Sequence, residues 1–130
     1  MNFSIEHIAV PAVHPVELRD WYARVLGARE IFNNGQDPPT YLMALPGGGW
    51  LEIYAAGSRL AEAGNNKLAG WRHVALRVES LPAAKAELEK RGVKFDEEPR
   101  PAAGGGQVLF FKDSEDNLLH LVERPRDFRL

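Results

Sequence analysis

The chain contains no cysteine. Disulfides, thiolate-bound metals, iron–sulfur clusters and a cysteine nucleophile are therefore excluded. No apolar run approaches the roughly 20 residues that span a bilayer, and the N-terminus shows no basic segment leading into an apolar one. Neither a membrane partner nor a secretory leader is expected. An excess of one charge is also missing. The formal net charge is −2 and the pI about 6.1, which leaves no basic footprint for nucleic acid. With 45% hydrophobic and 26% charged residues, the composition is that of a folded cytoplasmic protein. The 130 residues suffice for a single domain over 1–130. Any metal site must use imidazole and carboxylate, the ligand set of Zn, Fe, Mn, Co or Ni.

Two stretches of the chain open and close alike. Residues 3–10 read as a strand bounded by Pro11, with Phe3, Ile5, His7 and Ala9 on one face. Pro15 suits a first helical turn, and Leu18, Trp21, Tyr22, Val25 and Leu26 follow helical spacing up to a terminating Gly27. Arg29–Asn33 reads as a short strand. Tyr41–Leu45 and Trp50–Ala55 read as a hairpin joined through Pro46 and three glycines. A polar connection follows over 57–70, with a short helical segment possible at 59–63. The order then repeats. Trp71–Val78 is a strand, Ser80 caps a helix that carries Ala84 and Leu88 on its apolar side, and Gly92 ends it. Lys94–Glu97 reads as a short strand, 99–106 as a Pro/Gly-rich loop, and Val108–Lys112 with Leu118–Glu123 as the closing pair. The tail from Arg124 reads as peripheral.

The repeat places ionisable groups at matching positions. His7 and Glu52 flank the first unit, 45 residues apart, and His73 and His120 flank the second, 47 apart. From unit to unit His7 is followed by His73 after 66 residues, Gly27 by Gly92 after 65, and Glu52 by His120 after 68. These offsets fit one βαβββ unit duplicated, over about 1–56 and 71–124, with the two copies side by side. A lone histidine in a strand is more often a core or surface residue than a ligand. Four such groups at unit-equivalent strand positions make a metal site of His7, Glu52, His73 and His120 the better reading, because a carboxylate amid apolar neighbours is costly unless it is paired or ligating. His14, before Pro15, reads as a capping or surface residue. Arg77 shares a face with His73 and suits either an anionic substrate or a surface salt bridge. The runs Gly47–Gly49 and Gly104–Gly106 lack the ending of a phosphate loop and read as turns.

The segments His7-Ile8-Ala9-Val10, Trp21-Tyr22-Ala23-Arg24-Val25-Leu26-Gly27, His73-Val74-Ala75-Leu76-Arg77-Val78 and the run from Asp113 to Leu121 also carry a resemblance. The chain resembles the vicinal oxygen chelate superfamily of glyoxalases, bleomycin resistance proteins and extradiol dioxygenases. The resemblance implies an α+β fold in which two βαβββ modules form a curled, half-barrel mixed sheet with helices on its outer face. It implies one divalent ion held by His7, Glu52, His73 and His120, a small oxygenated substrate chelated through adjacent oxygens, and a homodimer. Members most often carry Glu where this chain has His120. Three activities follow from the resemblance. The first is a glyoxalase-type lyase or isomerase with Glu52 or His120 as base. The second is an iron-dependent dioxygenase, and the third a ligand-binding resistance protein without turnover. Expected substrate-binding residues are Trp50, Tyr54, Trp71 and Arg77, with Phe3 and Phe110 or Phe111 as further walls and 99–106 as a lid.

Overall fold

A computed structural model describes residues 1–58 and 62–128. The backbone divides into two compact units, Met1–Ala61 and Glu62–Leu130. Unit 1 runs β1 (His7–Ala12), α1 (Pro15–Leu26), β2 (Arg29–Asn33), β3 (Tyr41–Ala44) and β4 (Trp50–Ala55). Unit 2 runs β5 (His73–Arg77), α2 (Leu81–Lys90), β6 (Arg100–Pro101), β7 (Gln107–Lys112) and β8 (Leu118–Glu123). The strand orders are β1-β4-β3-β2 and β5-β8-β7-β6. In each open sheet the first strand lies parallel to the last and the other pairs are antiparallel. The fold is α+β, built from the βαβββ unit twice.

One face of each sheet carries the core, and the alternation of side chains along a strand decides which. In unit 1, Tyr41, Met43, Leu51 and Ile53 are buried on one side of β3 and β4. Helix α1 supplies Leu18, Trp21, Tyr22 and Val25, the stripe expected from the spacing. In unit 2, Leu109, Phe111, Leu119 and Leu121 are buried together with Leu81 and Leu88 of α2. Each side chain of this size contributes about 1.5–3 kcal/mol on burial. Both helices end as their sequences require. Gly27 is left-handed at φ 70° with its N–H on the Tyr22 carbonyl, and the Ser80 hydroxyl accepts from the Ala83 N–H at 3.3 Å.

Several boundaries differ from the sequence expectation. Strand β1 starts at His7 and runs through Pro11 to Ala12. A proline is tolerated there because β1 is the edge strand of its sheet, bonded among the described residues only to β4. Phe3 and Ile5 precede the strand, and Trp71 precedes β5. No strand forms at 94–97. The short β6 forms instead at Arg100–Pro101, inside the segment read as a loop. The expected helical segment at 59–63 lies partly outside the described residues, and Glu62–Gly64 form a turn.

Candidate metal and substrate site

The strand registers put the four candidate residues at equivalent places. In unit 1, Trp50 faces His7 and Glu52 faces Ala9 across the parallel β1–β4 pair. In unit 2, Leu118 faces His73 and His120 faces Ala75 across β5–β8. Partners in register project to the same side of a sheet. His7 and Glu52 therefore share one face, as do His73 and His120, and in both units it is the face turned away from the helix and its core. Each pair is offset by one alanine-filled step, so no large side chain stands between its members.

In unit 2 the pair is in contact. The rings of His73 and His120 lie 4.6 Å apart between centroids, and Phe110 sets its edge against both, at 5.4 and 4.7 Å. His120 is only 9% exposed, and its Nδ1 is buried without a hydrogen-bond partner. Burial, then the neighbouring His73, Arg124 and Arg100, lower its pKa to about 4. The imidazole is thus neutral at ordinary pH, the form that offers a lone pair to a cation.

The leading histidine of each unit is held through its Nδ1. Oε1 of Glu6 lies 2.9 Å from Nδ1 of His7, and Oδ1 of Asn66 lies 2.8 Å from Nδ1 of His73. Both oxygens only accept, so Nδ1 is the donor, and in the neutral ring this tautomer leaves the lone pair on Nε2. Glu52 is half-buried between Trp50 and Tyr54 on its strand face. Among the described residues it has no hydrogen-bond or ion-pair partner. An unpartnered carboxylate and an unpartnered buried imidazole nitrogen are groups that bound cations satisfy, so this donor set fits a divalent ion.

Each unit by itself thus presents a pair, and among the described residues no three His, Asp or Glu side chains form a group able to hold a metal. Arg77 lies on the His73 face of β5, as expected, with its guanidinium 5.7 Å from the Phe128 ring centroid. Trp71 and Phe3 are 97% and 90% exposed outside their strands, and form no wall within their units. Phe110 stands on the histidine face, whereas Phe111 is buried on the core face. The 99–106 segment is a hairpin rather than a free lid. Arg124 pins its turn, donating through Nη1 to the carbonyls of Ala103 and of Gly105, the latter at 2.8 Å. Sequence reasoning passed over Asn66, Arg100, Arg124 and Phe128, all of them in loops, a two-residue strand or the tail, where no periodicity marks a residue. His14 occupies the N-cap position of α1 and is exposed.

The family model of the Glyoxalase/Bleomycin resistance protein/Dioxygenase superfamily matches residues 4–121. The chain belongs to this superfamily. A glyoxalase family protein of Enterococcus faecalis is similar at 25% identity and a TM-score of 0.78, over 92% of this chain and 97% of that one. A superfamily domain from Frankia sp. EAN1pec is similar at 21% identity and a TM-score of 0.73, over 96% and 100%. The fosfomycin resistance protein FosX of Listeria monocytogenes, in a complex with Mn(II) and 1S,2S-dihydroxypropylphosphonic acid, shares the fold at 18% identity and a TM-score of 0.71, over 98% and 94%. Comparison with curated proteins gives no match. No helix among the described residues is long and apolar enough to cross a membrane.

Proposed function

We propose that this superfamily member is a divalent-metal-dependent lyase or isomerase of the glyoxalase type, acting on a small oxygenated molecule as a homodimer. The observation that carries the proposal is the register equivalence of Glu52 and His120, each facing an alanine across a parallel strand pair, with Nδ1 of His120 buried and unsatisfied. His7, Glu52, His73 and His120 hold the ion, the histidines of the first strands through Nε2. The Mn(II) in the FosX complex supports a divalent ion for this fold. When bound, such an ion supplies Lewis acidity toward two adjacent substrate oxygens, worth several kcal/mol of charge stabilisation.

The chain's own residues divide the remaining work. Glu52 is also the proton acceptor, its carboxylate being half-buried and flanked by Trp50 and Tyr54. His120 is the buried anchor, kept neutral by its surroundings. Trp50, Tyr54, Trp71 and Arg77 bind the substrate. A homodimer is supported by Phe3, Ile5 and Trp71, all at least 85% exposed, beside β1 and β5, the first strands of their sheets. Large apolar side chains this exposed are of the kind that a second surface covers.

Metal analysis of purified protein after reconstitution tests the proposal. Near-complete occupancy is expected, and fewer than about one divalent ion per two chains would refute it, since a tight four-ligand site fills. Sedimentation tests the dimer.

A further inference from the structure

The histidine face of unit 2 is strongly cationic. Its strand positions include Arg77 of β5, Arg100 of β6 and Lys112 of β7, and no aspartate or glutamate. This follows from the pairings Arg77 with Val122, Arg100 with Val108, Phe110 with His120 and Lys112 with Leu118. Arg124 continues β8 with the same alternation as His120 and Val122. Glu123, the one carboxylate of β8, projects to the other side and accepts from the Leu81 N–H at 2.6 Å.

The three guanidiniums are set in place. Arg100 lies over Phe110 at 4.8 Å, and Phe110 in turn touches both histidines. Arg77 and Arg124 lie 5.7 and 4.7 Å from the same Phe128 ring. Arg124 is further fixed by the two carbonyls of the 99–106 hairpin. Among the described residues, of the three only Arg100 has a counter-charge, Glu97 at 3.4 Å, and that pair is solvent-exposed. Among the described residues neither Arg77 nor Arg124 has an ion-pair partner. Like charges gathered on one face repel, and a planar fork stacked on an aromatic ring is pre-organised to receive an oxyanion.

We infer that the substrate carries an oxyanionic group, a carboxylate, phosphate or phosphonate, bound by Arg77, Arg100 and Arg124 beside the histidine pair. This deepens the proposed function, since it takes that face as the place where the substrate sits. It also makes the C-terminal tail, through Phe128, part of the binding surface.

The test uses metal-stripped full-length protein, so that it is independent of metal loading. Phenylphosphonate, phenylacetate and the neutral benzyl alcohol are titrated in turn, with binding followed by NMR at the arginine side chains and the Phe110 and Phe128 rings. One or both anions should bind and shift these signals, and benzyl alcohol should bind at least tenfold more weakly. Arg77→Gln and Arg124→Gln should each weaken anion binding about tenfold, whereas Lys94→Gln, on an exposed loop, should match wild type. Raised salt should weaken it too. Preference for phosphonate over carboxylate, or the reverse, identifies the anion. Equal affinity for the alcohol, or loss no greater in the arginine variants than in Lys94→Gln, would overturn the inference. Anion binding without metal occupancy would leave it standing while refuting the metal-dependent function.

Discussion

The two units share a strand order and a register, yet their histidine-bearing faces differ in burial and in neighbouring groups. In unit 1 the face beyond the core carries Trp50, Glu52 and Tyr54, and β4 alternates strictly, with Leu51 and Ile53 buried and Glu52 and Tyr54 half-exposed. In unit 2 every residue of β8 from Leu118 to Val122 is buried, His120 included, and arginines surround the site. The backbone positions match while the environments differ. A carboxylate kept at the water boundary is suited to moving protons. An imidazole taken out of water is suited to holding a cation. The difference lies in burial and neighbours, which the strand register alone does not set.

The comparison is most sharply broken at two glycines with the same backbone angle. Gly49 and Gly106 both have φ +88°, but a Cβ on Gly49 meets open space whereas one on Gly106 would lie 1.9 Å from the Glu123 carbonyl oxygen. Gly106→Ala should cost more than about 3 kcal/mol because backbone must move, and Gly49→Ala about 1–2 kcal/mol of left-handed strain alone. Thermal unfolding of the two variants measures the gap, and equal losses would contradict the packing at the 99–106 hairpin.

Next in size is the equivalence of the two closing residues. On the proposed function each closing residue is a ligand, so Glu52→Gln and His120→Gln should each lower Co(II) affinity at least about a hundredfold. Titration of the cobalt absorption band reports this. An effect confined to one variant would show that only one unit supplies its closing residue to the ion.

Acid should then separate the units. His120 has its folded pKa lowered to about 4 from 6.5, so the unfolded chain binds the extra proton between these values. Its neutral burial is fully tolerated above about pH 6.5, and stability falls as the pH drops from there toward 4, by on the order of 1–2 kcal/mol after allowance for partial solvation. Urea midpoints across that range should fall in wild type and flatten in His120→Leu.

The smallest expected effect concerns the residues behind the leading histidines. Asn66→Ala and Glu6→Ala should weaken metal binding about tenfold each by freeing the imidazole tautomer. Nitrogen chemical shifts of His7 and His73 in the metal-free protein give the tautomer directly, and protonated Nε2 in wild type would remove the basis of this prediction.

Much of this was legible in the residues. The stripe Leu18, Trp21, Tyr22 and Val25 marked α1, Ser80 and Gly92 bounded α2, and the spacing of His7, Glu52, His73 and His120 identified four equivalent strand positions. Other features were hidden. Pro11 reads as a strand end, but an edge strand needs bonds on one side only and carries it. Arg100 lies in a strand of two residues, too short for any pattern to show. Arg124 and Phe128 read as a polar tail, although Arg124 pins the 99–106 hairpin and shares the Phe128 ring with Arg77.

The sequence by itself determined the repeat, the α+β class and the faces on which the ionisable groups stand, because alternation and helical periodicity are local properties of the chain. Only the tertiary structure decided that Glu52 stays half-exposed while His120 is desolvated, that Asn66 orients His73, and that three arginines gather beside the histidine pair. Those outcomes depend on contacts between residues far apart in the chain, where burial and field are set by neighbours that no local pattern names.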